Sequence, residues 1–164
     1  MKTKTLYLVR HAKAEEHSFA KRDYDRDLVE KGKEKTEQIA STLAQQLRPT
    51  ASTLALSSSA NRAIQTAYLS CEIIGYPTDQ IVLDKSIYEA HFLTILEAIN
   101  TTSEDIDTLL VFGHNPGLSD LVDHLTHAYV NLKTSEIAVI QLEEGIDFSH
   151  LSGDTATLKT VITK

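Results

Sequence analysis

Leu6-Tyr7-Leu8-Val9-Arg10-His11-Ala12 sets a short apolar run directly against an Arg–His pair. A run this brief reads as a buried strand, with its two polar residues at the carboxyl end. The same pattern recurs twice. Thr53-Leu54-Ala55-Leu56 leads into Ser57-Ser58-Ser59, and Leu109-Leu110-Val111-Phe112 leads into Gly113-His114-Asn115-Pro116. Segments with helical spacing lie between these strands. Leu28, Ile39, Leu43 and Leu47 mark one, opened by Asp27 and Glu30 as a capping box and stopped by Pro49. Ala63, Ile64, Ala67, Tyr68, Cys71 and Ile74 line a second, with Gly75 and Pro77 beyond it. Phe92, Ile95, Leu96 and Ile99 line a third. Leu118, Leu121, Val122 and Leu125 line a fourth, for which Asn115 is the expected N-cap and Pro116 the first helical residue. Ile81-Val82-Leu83 is a weaker strand candidate, and Ile137 to Leu142 and Thr157 to Ile162 read as closing strands. Strand and helix in alternation predict an α/β fold, a three-layer α/β/α sandwich with a mostly parallel central sheet.

The 164 residues fit a single domain over 1–164, with no internal repeat, low-complexity tract or Pro/Gly-rich linker. The one cysteine, Cys71, excludes an internal disulfide and falls among apolar helix positions, where packing is its expected role. A formal net charge of −7 argues against nucleic acid as a partner. It also means that any phosphate site must concentrate the few cations in one place. The apolar stretch ending at Val9 is too short for a membrane span or a signal-peptide core, so the expectation is a cytoplasmic protein with no membrane partner.

In sheets of this kind, ligands sit beyond the carboxyl ends of the strands. Arg10-His11, the Ser57–Arg62 turn and Gly113-His114 all fall at such ends and should converge on one rim. Arg10 brings a planar fork suited to phosphate oxygens. Arg62 stands in the first turn of a helix, where backbone N–H groups and the dipole already favour an anion. A cation there is mildly at odds with the helix, and an anionic ligand between them resolves the conflict. Together the residues suggest phosphoryl transfer. A neutral nitrogen of His11 attacks phosphorus while Arg10, Arg62 and a cationic His114 hold the oxygens. Nearby cations disfavour the imidazolium form of His11, by about 4 kcal/mol for a unit charge at about 4 Å and an effective dielectric near 20. A backbone carbonyl on the other ring nitrogen would fix the tautomer. His17, His91, His114, His124, His127 and His150 show no metal-ligand pattern, and neither a metal nor a cofactor is expected.

These residues resemble the histidine phosphatase, or phosphoglycerate-mutase-like, superfamily, and within it the small SixA-type phosphohistidine phosphatases. Leu8-Val9-Arg10-His11-Ala12 looks like the signature strand and nucleophile. Ser58-Ser59-Ala60-Asn61-Arg62-Ala63-Ile64-Gln65-Thr66-Ala67 looks like the second-arginine motif, and Gly113-His114-Asn115-Pro116-Gly117-Leu118 like the second-histidine motif. Asp25-Arg26-Asp27-Leu28, with Gly32 beyond, is similar to a further family segment and adds Arg26 as a phosphate-binding candidate. Where the wider superfamily has Gly after the nucleophile, this chain has Ala12. A positive φ there would cost about 1 kcal/mol or more.

The resemblance implies a metal-free hydrolase with Arg10, Arg62 and His114 as phosphate binders. In larger relatives a carboxylate between the second Arg and second His protonates the leaving group. Glu89 is the candidate by position, with His91 behind it, although Glu89 could equally be the N-terminal acid of the helix bearing Phe92. The short stretch between Arg62 and His114 leaves little room for an insert covering the substrate. An open pocket suits phosphohistidine on a signalling or phosphorelay protein, acted on by a monomer. The alternatives are a phosphatase of small phosphate monoesters using Glu89 as proton donor, and a non-catalytic phospho-binding module.

Overall fold

A computed structural model describes residues 3–164. Strands β1 (Thr5–Arg10), β2 (Thr53–Ser57), β3 (Val82–Leu83), β4 (Thr108–Gly113), β5 (Ile137–Leu142) and β6 (Ala156–Ile162) form one six-stranded sheet in the order β3-β2-β4-β1-β5-β6. The pairs β2–β3, β2–β4 and β1–β4 are parallel, whereas β5 runs antiparallel to both β1 and β6. Four of the six strands, β3-β2-β4-β1, are thus mutually parallel, as the sequence predicts, and they carry the polar strand ends. Helices α1 (Glu30–Gln46), α2 (Asn61–Ile74), α3 (Phe92–Asn100) and α4 (Gly117–Thr126) complete the fold.

Alternation along the strands builds the three layers. Leu6 and Leu8 of β1, with Leu109 and Val111 of β4, pack into a core with Ile95 and Ile99 of α3 and Leu118, Leu121 and Leu125 of α4. Tyr7, Val9, Leu110 and Phe112 face the other way, onto Ile39 and Leu43 of α1 and Ala67 and Cys71 of α2. Both faces of β1 and β4 are thus covered, which is why their sequences are continuous apolar runs. Cys71 is fully buried, and burial pushes its thiol up to about 12, consistent with packing.

Two helix starts differ from expectation. Asp27 does not cap α1, which begins after Val29 with no side-chain cap. The Asp27 carboxylate is instead taken by Lys21, Asn61 and Gln65, which tie it to the start of α2. Helix α4 begins at Gly117, with Pro116 in the cap position, one residue later than predicted. Asn115 still serves the first turn, because its Oδ1 accepts from the Ser119 N–H at 3.1 Å and the Ser119 hydroxyl at 2.9 Å.

Two glycines allow the close approaches that shape the rim. A Cβ on Gly32 would lie 2.3 Å from the Lys13 carbonyl oxygen, so Gly32 lets α1 rest on the backbone just after β1. A Cβ on Gly117 would lie 2.2 Å from the Ala90 carbonyl oxygen, so Gly117 lets the Glu89–Ala90 segment close over the start of α4.

Candidate active site

Strands β2, β4 and β1 are neighbours in register, with Arg10 opposite Gly113 and Ser57 opposite Phe112. The three polar strand ends therefore meet on one rim. The His11 N–H donates to the Gly113 carbonyl at 3.0 Å, and the Ala12 N–H donates to Thr66 Oγ1 at 2.9 Å. Thr66 in turn donates to the Arg62 carbonyl at 2.7 Å, so one buried hydroxyl locks the His11 loop to the first turns of α2. Ala12 is absent from the positive-φ residues, so alanine carries no backbone cost at that position.

His11 Nδ1 lies 2.8 Å from the Ala12 carbonyl oxygen. A carbonyl can only accept, so Nδ1 carries the proton and Nε2 keeps its lone pair. The imidazole is held down to about 3, so it is neutral at physiological pH. Burial is the largest cause. The Ala12 bond opposes the shift, and His114, Arg62 and Arg10 add to it. The nearby cations act in the direction the sequence suggests, but desolvation is the larger influence. The His11 and His114 rings stand 5.1 Å apart.

Arg62 is 1% exposed, far from the solvated helix residue that its type most often is. Its Nη1 donates to the Asp23 carbonyl at 2.8 Å, and its Nη2 to Asp23 Oδ2 at 3.1 Å and Glu89 Oε1 at 2.6 Å. His114, also 1% exposed, places Nε2 2.8 Å from Ser58 Oγ and Nδ1 3.3 Å from Glu89 Oε1, the latter off the line of a hydrogen bond. Arg10 anchors Nη1 on the Leu132 carbonyl at 2.9 Å. Among the described residues, the buried side-chain nitrogens left without a hydrogen-bond partner are Arg10 Nε, Arg62 Nε and His114 Nδ1. Buried polar groups are normally satisfied, and these three belong to three of the four residues singled out for phosphate.

The other candidates take different places. Glu89 joins the cluster through Arg62 and His114, and its backbone adopts φ 48°, a left-handed conformation rare for a non-glycine residue. Its carboxyl is held down to about 2, chiefly by His114 and also by Arg62, against the effect of burial. It is therefore an ionised acceptor at neutral pH. His91 caps α3 by accepting from the Leu93 N–H at 3.2 Å, which removes Glu89 from the role of that helix's terminal acid. Arg26 is occupied behind the site, with Nε on Asp23 Oδ1 at 3.0 Å and Nη1 on the Glu15 carbonyl at 2.5 Å.

Asp23 was missed in the sequence and proves central. It accepts from Arg62, Arg26 and the Tyr88 hydroxyl. Burial, the largest single influence, raises its pKa, but Tyr88, Arg62 and Arg26 outweigh it and hold the carboxyl to about 2. Ser58 and Thr66 were also missed as orienting groups for His114 and the His11 loop. No group of three or more metal-ligating side chains occurs among the described residues, and none of their helices is long and apolar enough to cross a membrane.

Residues 6–117 match the model of the histidine phosphatase superfamily (branch 1). An uncharacterised chloroplastic protein of Arabidopsis thaliana is 28% identical over 152 residues, covering 85% of this chain and 66% of its own length. The chain thus spans just under two thirds of that relative. A crystal structure from Agrobacterium tumefaciens, provisionally assigned as the phosphohistidine phosphatase SixA, aligns with TM-score 0.78 and 28% identity over 98% of both chains. The protein histidine phosphatase SixA complexed with tungstate aligns with TM-score 0.80 over 97% of this chain and 96% of its own, at 21% identity.

Proposed function

The chain belongs to the histidine phosphatase superfamily, and on that footing we propose that it removes phosphate from phosphohistidine on another protein, through a phosphoryl group held transiently on His11. The observation that carries this reading is the set of three unpartnered, buried nitrogens on Arg10, Arg62 and His114 around a neutral His11. Buried nitrogens held on one rim without hydrogen-bond partners are matched to an anion with several oxygens. The tungstate held by one structural relative is an oxyanion of similar shape to phosphate.

In the proposed cycle the phosphoryl oxygens take these donors. The Nε2 lone pair of His11 attacks phosphorus, and the new N–P bond forms as the substrate's N–P bond breaks. The departing electron pair returns to the substrate ring, which leaves as neutral imidazole when its other nitrogen is protonated. Water then attacks phospho-His11 and the N–P pair returns to Nε2. Inorganic phosphate departs and the surplus proton goes to solvent.

Glu89 supports phosphohistidine over a phosphate ester. Expelling an alkoxide needs a proton donor, and a carboxylate held near 2 has no proton to give at neutral pH. An imidazole leaving group needs none from the enzyme. The test is mass-spectrometric detection of phospho-His11 after brief exposure to phosphohistidine and to a sugar phosphate, an alkyl ester, in parallel, with His11→Ala as control. Rapid labelling and turnover with phosphohistidine, slow turnover with the ester and none in the variant are expected. Comparable turnover of the two substrates overturns the substrate assignment. Phosphate binding without labelling of His11 leaves a non-catalytic binding module.

A further inference from the structure

In a chain of formal net charge −7, one cavity is lined mainly by lysines. Lys13, Lys31, Lys35 and Lys164 surround about 420 Å³, with Glu34 as the acidic residue of the lining and Thr134 beside it. Among the described residues, none of these four lysines enters an ion pair or a side-chain hydrogen bond. Lys4, Lys21, Arg22, Arg26 and Arg62, by contrast, are all paired with carboxylates. Glu136 acts on Lys35 and Lys133 through its charge, but it is buried and bonded to the Thr163 hydroxyl and the Lys133 N–H. The cavity keeps a positive surplus.

Its position is fixed relative to the nucleophile. Lys13 follows His11 by two residues, and α1 is seated on the Lys13 backbone through the Val29 N–H to Lys13 carbonyl bond of 3.1 Å. Thr134 precedes Ser135, whose N–H donates to the Arg10 and His11 carbonyls at 3.1 and 3.2 Å. The lysine cavity is thus built on backbone hydrogen-bonded to the Arg10–His11 loop, and its lining includes none of Arg10, Arg62 and His114.

We propose that this lysine-lined cavity docks the protein that carries the phosphohistidine, and that the partner presents an acidic face to it. The inference rests on the phosphohistidine reading above. A small phosphorylated metabolite would need the pocket cations and no second basic surface. An acidic protein approaching a body of like charge is repelled unless a local positive patch draws it in and sets its orientation. Nucleic acid fits less well, because a polyanion longer than the patch would meet the acidic surface around it.

The test compares wild type with Lys31→Glu/Lys35→Glu/Lys164→Glu on two substrates: free phosphohistidine, and an acidic phosphorelay domain phosphorylated on histidine with phosphoramidate. The expected result is a fall of at least tenfold in kcat/KM for the domain, with free phosphohistidine unchanged and the salt dependence of the wild-type reaction flattened. An equal loss on both substrates, or no loss on either, overturns the docking surface and leaves the phosphohistidine reading standing. Wild type that hydrolyses neither substrate overturns that reading, and the partner assignment falls with it. An RNA oligonucleotide that binds wild type tightly and the variant weakly overturns the protein partner in favour of nucleic acid.

Discussion

Replacing Glu89 by Gln removes one negative charge from the phosphate pocket while keeping the side chain's shape and an oxygen for Arg62. In the wild-type site that charge lies 2.6 Å from Arg62 Nη2 and 3.3 Å from His114 Nδ1, on donors that a phosphate would share. An anion gripped by the same residues comes within about 4–5 Å of the carboxylate, where like charges repel by about 3–4 kcal/mol at an effective dielectric near 20. The side chain is 46% exposed, so solvent screens most of this, and about 1 kcal/mol is the part to expect. Inorganic phosphate or tungstate should therefore bind Glu89→Gln about five- to tenfold more tightly. Titration calorimetry reads the affinity, and rapid-quench labelling of His11 reads chemistry separately from release. Product release slows as phosphate binds more tightly, so labelling should persist while steady-state turnover on phosphohistidine falls several-fold at most. Unchanged or weaker phosphate binding refutes the electrostatic argument. A loss of a hundredfold or more in the labelling step itself restores Glu89 as a proton carrier. Acid cannot substitute for the mutation, because the carboxyl titrates only near pH 2.

Two further outcomes follow from the geometry. His11 is neutral in the folded state down to about pH 3, against about 6.5 in the unfolded chain, so the unfolded state takes up the proton first as pH falls. Its contribution to stability is intact above about pH 6.5 and is lost progressively down to about pH 3, with Asp23 and Glu89 adding losses below about pH 4. NMR titration of the His11 ring should show no inflection between about pH 5 and 8, and a midpoint near 6.5 contradicts the burial argument. Gly117→Ala forces a methyl to 2.2 Å from the Ala90 carbonyl and 2.9 Å from Ile95 Cδ1, and should cost about 2–3 kcal/mol in denaturant unfolding. It should also change phosphate affinity, because the Glu89–Ala90 segment, with its carboxylate on Arg62 and His114, must move. Gly75→Ala, at φ 90° with open space around it, should cost about 1 kcal/mol and leave phosphate binding alone. Equal effects of the two variants on binding would remove Gly117 from the pocket's architecture.

The central strands and their polar ends were legible because two independent signals agreed there. An apolar run four residues long between polar segments has few alternatives to a buried strand, and the crevice beyond such strands is where α/β sheets bind ligands. Register then did what sequence spacing cannot: it brought Arg10 opposite Gly113 and Ser57 opposite Phe112. The capping box at Asp27 failed for a physical reason. Its carboxylate had two uses, and bonds to Lys21, Asn61 and Gln65 satisfy it more fully than the end of a helix that starts well enough after Val29. A local motif is a statement about neighbours in sequence, and tertiary partners can outbid it.

Asp23 shows where sequence reading stops. Arg22-Asp23-Tyr24-Asp25-Arg26-Asp27 alternates charge so closely that a solvated loop is the natural reading. Nothing in those six residues separates Arg22–Asp25, an exposed pair, from Asp23, which braces a buried guanidinium. The difference is supplied by Arg62, 39 residues away, and Tyr88, 65 residues away. One clue was present. Arg62 reads in the sequence as a cation in a helix's first turn, and a guanidinium buried there requires a carboxylate close by even before any ligand arrives. Asp23 and Glu89 fill that need from two sides. Their arrangement explains how the site can hold an Arg at 1% exposure and still leave its Nε, with Arg10 Nε, without a hydrogen-bond partner. The brace satisfies the charge without using every donor, and the donors left over form the binding site.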